Sequence, residues 1–160
     1  MTKMDFNDKT LERFYRSFKW ARNNTLQILD SIQTSETLEY QPEGVGQHSV
    51  LYQFQCLVTT SDTYYRRLTK HDNVQFGVLL GANQVKKEDI EVADIKPALK
   101  RQMVDLERVL KDFDAHDFET NVQDIQSLIN HEYLHQGQLI VMFRSLEIEL
   151  PKRFRQAFDL

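Results

Sequence analysis

Apolar residues recur along this chain at the three- and four-residue intervals of helices that bury one face, and no stretch keeps the period of two expected of strands. Over 8–32, Leu11, Phe14, Tyr15, Phe18, Ala21, Leu26, Ile28 and Leu29 follow helical spacing with no glycine or proline between them. Residues 34–46 carry Pro42, Gly44 and Gly46 and read as a turn-rich connection. Ser49 suits the N-cap of a second helix ending near Thr69, with Val50, Leu51, Phe54, Leu57, Val58, Tyr65 and Leu68 on its apolar face. The opposite face, Tyr52, Cys56, Thr59 and Thr63, bears no charge. That helix is therefore expected to be covered on two sides, by the core and by a pocket or a second subunit.

Residues 71–91 form an irregular segment in which Phe76, Val78, Leu79 and Leu80 lie near Gly77 and Gly81. A loop of this length is usually functional, and its apolar residues either line a pocket or cover one end of the core. A third helix is expected from Pro97 to about Phe113, where Leu99, Met103, Leu106, Leu110 and Phe113 make a seam. A turn over 114–120 leads to a fourth helix over 121–146, and Pro151 precedes a short final turn over 153–158. The expected fold is all-α, a four-helix bundle forming one domain over 1–160, with two connections long enough to act as crossovers.

Charge and composition narrow the function. The net charge of −4 is spread over interspersed acidic and basic residues, which offers no broad positive field to a phosphate backbone, so nucleic acid is not an expected partner. The basic cluster Lys152, Arg153 and Arg155 reads as one solvated helix face. No apolar run approaches the ~20 residues of a membrane span, and the first eight residues lack an apolar signal region, so a cytoplasmic location is expected. The single cysteine, Cys56, excludes an intramolecular disulfide and a cysteine-rich zinc finger. It leaves a mixed ligand set open.

The candidate chemistry lies near the C-terminal end. His131 and His135 are one helical turn apart on one face and can present two imidazole nitrogens to one point. Ile125, Leu128, Leu139, Met142, Phe143 and Leu146 mark the buried stripe of that helix, with His135 inside it and His131 at its edge. Burying a polar group without a partner costs roughly 1–3 kcal/mol, a cost that a shared metal ion removes. Gly137 in mid-helix costs ~1 kcal/mol against alanine, which points to a close neighbouring helix or ligand. Glu132 projects towards the same stripe, as a partner orienting a histidine, as a general base, or in a surface salt bridge. His71 and His116 fall in turns and are expected to face solvent.

The series Asn130, His131, His135, Gln136, Gly137, Gln138, Leu139, followed by Phe143, Arg144 and Pro151, resembles the C-terminal signature of the DinB/YfiT-like helical bundles, with Gln136 where arginine is usual. Ser49, Val50, Gln55, Cys56 and Leu57, continuing to Asp62, Tyr64 and Tyr65, resemble the second-helix segment of the same family. The resemblance implies a divalent metal, zinc or nickel most readily, held by three histidines inside the bundle. His131 and His135 match two of them, and the third position falls at Cys56. Three readings stay open: Cys56 is the third ligand, in a Cys/His/His set suited to zinc with one open position; His48 substitutes, although it lies two helical turns, roughly 12 Å, from Cys56; or the site has decayed. The implied activity is a metal-dependent S-transferase joining a small thiol such as bacillithiol or mycothiol to an electrophile, with Tyr52 or Glu132 orienting the incoming group. A metal-dependent hydrolase is a close alternative. The alternative from a different class is a non-catalytic, stress-related dimeric bundle whose site is vestigial. Members of the family often pair, so a homodimer is expected.

Overall fold

Asp8 starts the first helix by turning its carboxylate back onto the amides of Thr10 and Leu11, at 2.6 and 3.1 Å, two of the donors that a helix start otherwise leaves unpaired. The computed structural model describes residues 6–43, 48–69 and 87–158. Its elements are α1 (Lys9–Ser31), α2 (Ser35–Glu39), α3 (Val50–Thr69), a single 3-10 turn (Lys87–Asp89), α4 (Val92–Asp112), α5 (Ala115–Ser145) and α6 (Lys152–Phe158). No strand occurs among the described residues, and none of their helices is long and apolar enough to cross a membrane.

The first two long helices match their expected spans, and Ser49 Oγ accepts the amide of Tyr52 at 3.2 Å as the proposed cap of α3. Three boundaries differ. The turn-rich connection contains α2, begun by Thr34, whose hydroxyl accepts the amide of Thr37. The third helix starts at Val92, ahead of Pro97, because Ile95 is fully buried and holds the preceding turn against the core; tertiary burial outweighs the one backbone bond that proline forfeits. The fourth starts at Ala115, because Asp114 and Asp117 form a reciprocal capping box, and Phe118 packs 5.5 Å from the ring of Phe14. The apolar loop residues 76–80 and His71 lie outside the described residues, as do Gly44 and Gly46.

Each of α1 and α3 packs against both α4 and α5, so α1 lies across from α3 and α4 across from α5. The apolar core falls into two groups. One gathers Leu26, Ile28, Val50, Phe54, Leu57, Ile95, Leu99, Leu139 and Phe143; the other gathers Leu11, Tyr15, Phe18, Leu68, Leu106, Leu110, Ile125 and Leu128. On all four long helices the two groups sit at opposite ends, and their order shows that α1 and α5 run one way while α3 and α4 run the other. The connection between α1 and α3 therefore joins ends at the same side and needs no crossover.

Between the two groups lies a buried polar layer. Arg22 of α1, fully buried, donates from Nε to Glu132 Oε1 at 2.6 Å, from Nη1 to Leu99 O and Gln102 Oε1 at 3.2 Å each, and from Nη2 to Ser61 Oγ at 2.7 Å. Nη2 also meets Glu132 Oε1 at 2.5 Å. Thr25 donates to the other Glu132 oxygen at 2.6 Å and accepts from Gln136 Nε2 at 3.0 Å. The guanidinium thus joins α1 to all three other long helices.

Removing one partner of a buried ion pair typically costs about 3–5 kcal/mol, whereas replacing both with apolar groups of similar volume is often neutral. Urea unfolding of Arg22→Met should show a loss of that order, and the double variant Arg22→Met, Glu132→Leu should recover most of it; a double variant as weak as the single one refutes this. Gly137 is a separate case. A Cβ built there meets nothing within 4 Å, so no described neighbour makes the close approach anticipated for it. Gly137→Ala should raise stability by roughly 0.5–1 kcal/mol in the same assay.

Candidate metal centre

The packing of α3 against α5 brings three donors together. Cys56 of α3 and His131 and His135 of α5 place their ligand atoms within 4.8 Å of one another. His135 Nε2 is 3.0 Å from His131 Nε2, and Cys56 Sγ is 3.7 Å from that same nitrogen. The rings meet edge to face, with centroids 4.4 Å apart. Cys56 and His135 are buried and His131 is half-buried. A soft sulfur and two imidazoles converging in a buried site fit a divalent metal ion, and the group could hold one. His48 stands outside this group: it is exposed and stacks on the ring of Tyr52 at 3.8 Å.

Glu132 is not on the surface and does not orient a histidine. Helical phase carries it one residue, ~100°, past His131, and both its oxygens are engaged by α1. The side chain that holds His135 is Gln53, whose Oε1 lies 2.6 Å from Nδ1. Gln53 also lines a pocket of about 520 Å³, bordered by His48, Tyr133, Leu134, Gly137 and Met142. None of the three donors lines it. His116 is exposed, as expected.

A cation stands beside the donors. Lys87 Nζ, from the 3-10 turn, is 3.2 Å from the Tyr52 hydroxyl and 3.3 Å from Cys56 Sγ. Burial works against its charge, but the hydrogen bonds to Tyr52 and Cys56 outweigh that and leave the ammonium above its ordinary range. Tyr52 and Cys56, half of the uncharged face of α3, are thus turned to this centre. Sequence reasoning did not single out Gln53 or Lys87. Gln53 carried a faint signal, a glutamine within the apolar series of α3; Lys87 carried none.

Burial, and then the charges of Lys87 and Arg22, push the His131 pKa down to about 4. Burial, then His131 and Lys87, push that of His135 down to about 3, against a hydrogen bond with Gln138 that raises it. Both rings are neutral at pH 7 and have a lone pair to offer. In the unfolded chain each titrates near 6.5, so below that pH the unfolded state binds protons that the folded state refuses. The metal-free protein should therefore keep this stability above about pH 6.5 and lose it as the pH falls towards 4. Thermal melts across that window should show a smaller loss for His131→Gln; an unchanged loss would assign the effect to carboxylates instead.

No family model matches the chain, and neither a curated protein nor a solved structure matches it.

Proposed function

We propose that the chain is a divalent-metal-binding four-helix bundle of the DinB/YfiT-like kind that transfers a small thiol to an electrophile. The observation that carries this reading is the convergence of Cys56 Sγ with the Nε2 atoms of His131 and His135, donors from two helices, in a buried site with both imidazoles neutral. Zinc suits this donor set best, and nickel next. Among the three readings of the third ligand, the geometry supports Cys56 over His48.

In this reading His131, His135 and the thiolate of Cys56 hold the ion, and Gln53 keeps His135 turned to it. A metal ion bound there would supply Lewis acidity that lowers the pKa of an incoming thiol. The thiol proton leaves to solvent, the sulfur forms its bond to the electrophilic carbon, and the leaving group departs with the electron pair of the broken bond. Tyr52 accepts from Lys87, which keeps its own hydroxyl proton for a second partner, and Lys87 attracts the negative charge of the thiolate. Two copies of the chain pairing as a homodimer belong to the same reading.

One observation favours a second reading, a non-catalytic bundle with a degenerate site. The Lys87 ammonium already sits 3.3 Å from Cys56 Sγ, where it competes with a metal for that sulfur. Elemental analysis of untagged protein separates the two. The first reading expects near-stoichiometric zinc or nickel, lost in Cys56→Ala and His135→Ala and kept in His48→Ala, together with metal-dependent consumption of an alkyl halide only when a thiol is added. Turnover without thiol would indicate a hydrolase. Protein that takes up no metal even when incubated with zinc refutes the first reading and leaves the second.

A further inference from the structure

Gln53 has two hydrogen-bonding arms, and each meets a partner whose sense is known. One arm faces the backbone carbonyl of His48 at 3.4 Å. A carbonyl only accepts and repels a second oxygen, so this arm is the amide nitrogen. The other arm is then the carbonyl oxygen, 2.6 Å from Nδ1 of His135. Nδ1 must donate to it and so carries the ring proton, which leaves the lone pair on Nε2. That nitrogen lies 3.0 Å from His131 Nε2, and two lone pairs do not face each other at hydrogen-bond distance. His131 therefore donates from Nε2.

From this geometry we infer that Gln53 is a positioning residue: it locks His135 as the Nδ1–H tautomer, with Nε2 ready to bind a metal, while His131 is held as the opposite, Nε2–H tautomer. The metal-binding consequence rests on the reading of the centre proposed above. His135 is preset and His131 is not. For His131 to ligate through Nε2, the proton on that atom leaves to water and another is taken up at Nδ1, so the ring gains and loses none overall. The two histidines of one helical turn thus play different parts: Gln53 meets the ring of His135 at Nδ1, and Gln138 adds a second hydrogen bond to that same ring. Outer partners of this kind typically contribute 10- to 100-fold to metal affinity.

Long-range proton–nitrogen correlation NMR on the metal-free wild-type protein reads both tautomers directly. The expected result is His135 protonated at Nδ1 and His131 at Nε2, with zinc moving the proton of His131 alone. Gln53→Leu removes this acceptor and should weaken zinc binding about 10- to 100-fold in a chelator competition; Gln53→Glu restores the acceptor at Nδ1 while setting an oxygen against the His48 carbonyl, and should bind zinc more tightly than Gln53→Leu. His135 protonated at Nε2 in the wild type overturns the inference, as does a folded Gln53→Leu protein with unchanged zinc affinity. Should Gln53→Leu not fold, the wild-type spectrum decides. A wild type that takes up no zinc yet shows Nδ1–H on His135 refutes the metal reading and supports the lock, so the two failures are distinguishable.

Discussion

The guanidinium of Arg22 constrains this structure more than any apolar contact does. A charge taken out of water is strongly unfavourable unless its counter-ion and its remaining hydrogen-bonding positions are supplied. Arg22 has five N–H donors, and its acceptors come from α3, α4 and α5: Ser61, Leu99, Gln102 and Glu132. Sliding any one of these helices by a turn, ~5.4 Å, strips an acceptor and leaves a buried donor unpaired. Apolar surfaces tolerate such slips; this network does not. It acts less as a source of stability than as a register mark shared by the four long helices.

That register reaches the candidate centre through α5. His131 and His135 face α3, while Glu132 and Gln136, each one residue further on, face α1. One helical segment thus has two polar sides, one tied to the Arg22 layer and the other carrying the candidate metal donors. The bonds from Glu132 and Gln136 to Thr25 and to the carbonyl of Ala21 set the rotation of α5 about its axis. Rotation is what decides whether two imidazoles point at Cys56 or past it. A centre built from one residue on α3 and two on α5 needs this kind of fixing from outside itself.

The helices were readable because burial follows a period, and the histidine pair was readable because spacing on one helix is local information. The sequence resemblance aligned Cys56 with the pair, and the packing of α3 against α5 places it there. What escaped was of another kind. Arg22 falls in the buried phase of α1, between Phe18 and Ile28, and a charged residue in that phase was the available warning. Its partner, Glu132, was given the right direction but the wrong company, since a helix wheel shows which way a side chain points and not which helix lies there. Lys87 reaches Cys56 from 31 residues further along the chain, and no periodic pattern carries contacts of that sort. The starts of α4 and α5 differ from the sequence pattern for a simpler reason: burial of Ile95 and an aspartate-based capping box override the boundaries that the proline and the polar run suggest.

Charge balance bears on which ligand the centre would favour. The nearest carboxylate along α5, Glu132, is neutralised by Arg22 and engaged with Thr25, and the convergent group contains no aspartate or glutamate. A divalent ion held by two neutral imidazoles and one thiolate would keep a positive charge, and the Lys87 ammonium would add another at 3.3 Å from the sulfur. In a buried site of low effective dielectric that excess is costly, and the interaction is screened far less than at the surface. An anionic ligand relieves it and a neutral one does not. With an ion bound, this would favour an anionic over a neutral donor at the remaining position, and it would give Lys87 two opposed effects: without metal it satisfies Cys56, and with metal it would raise the demand for a second anion.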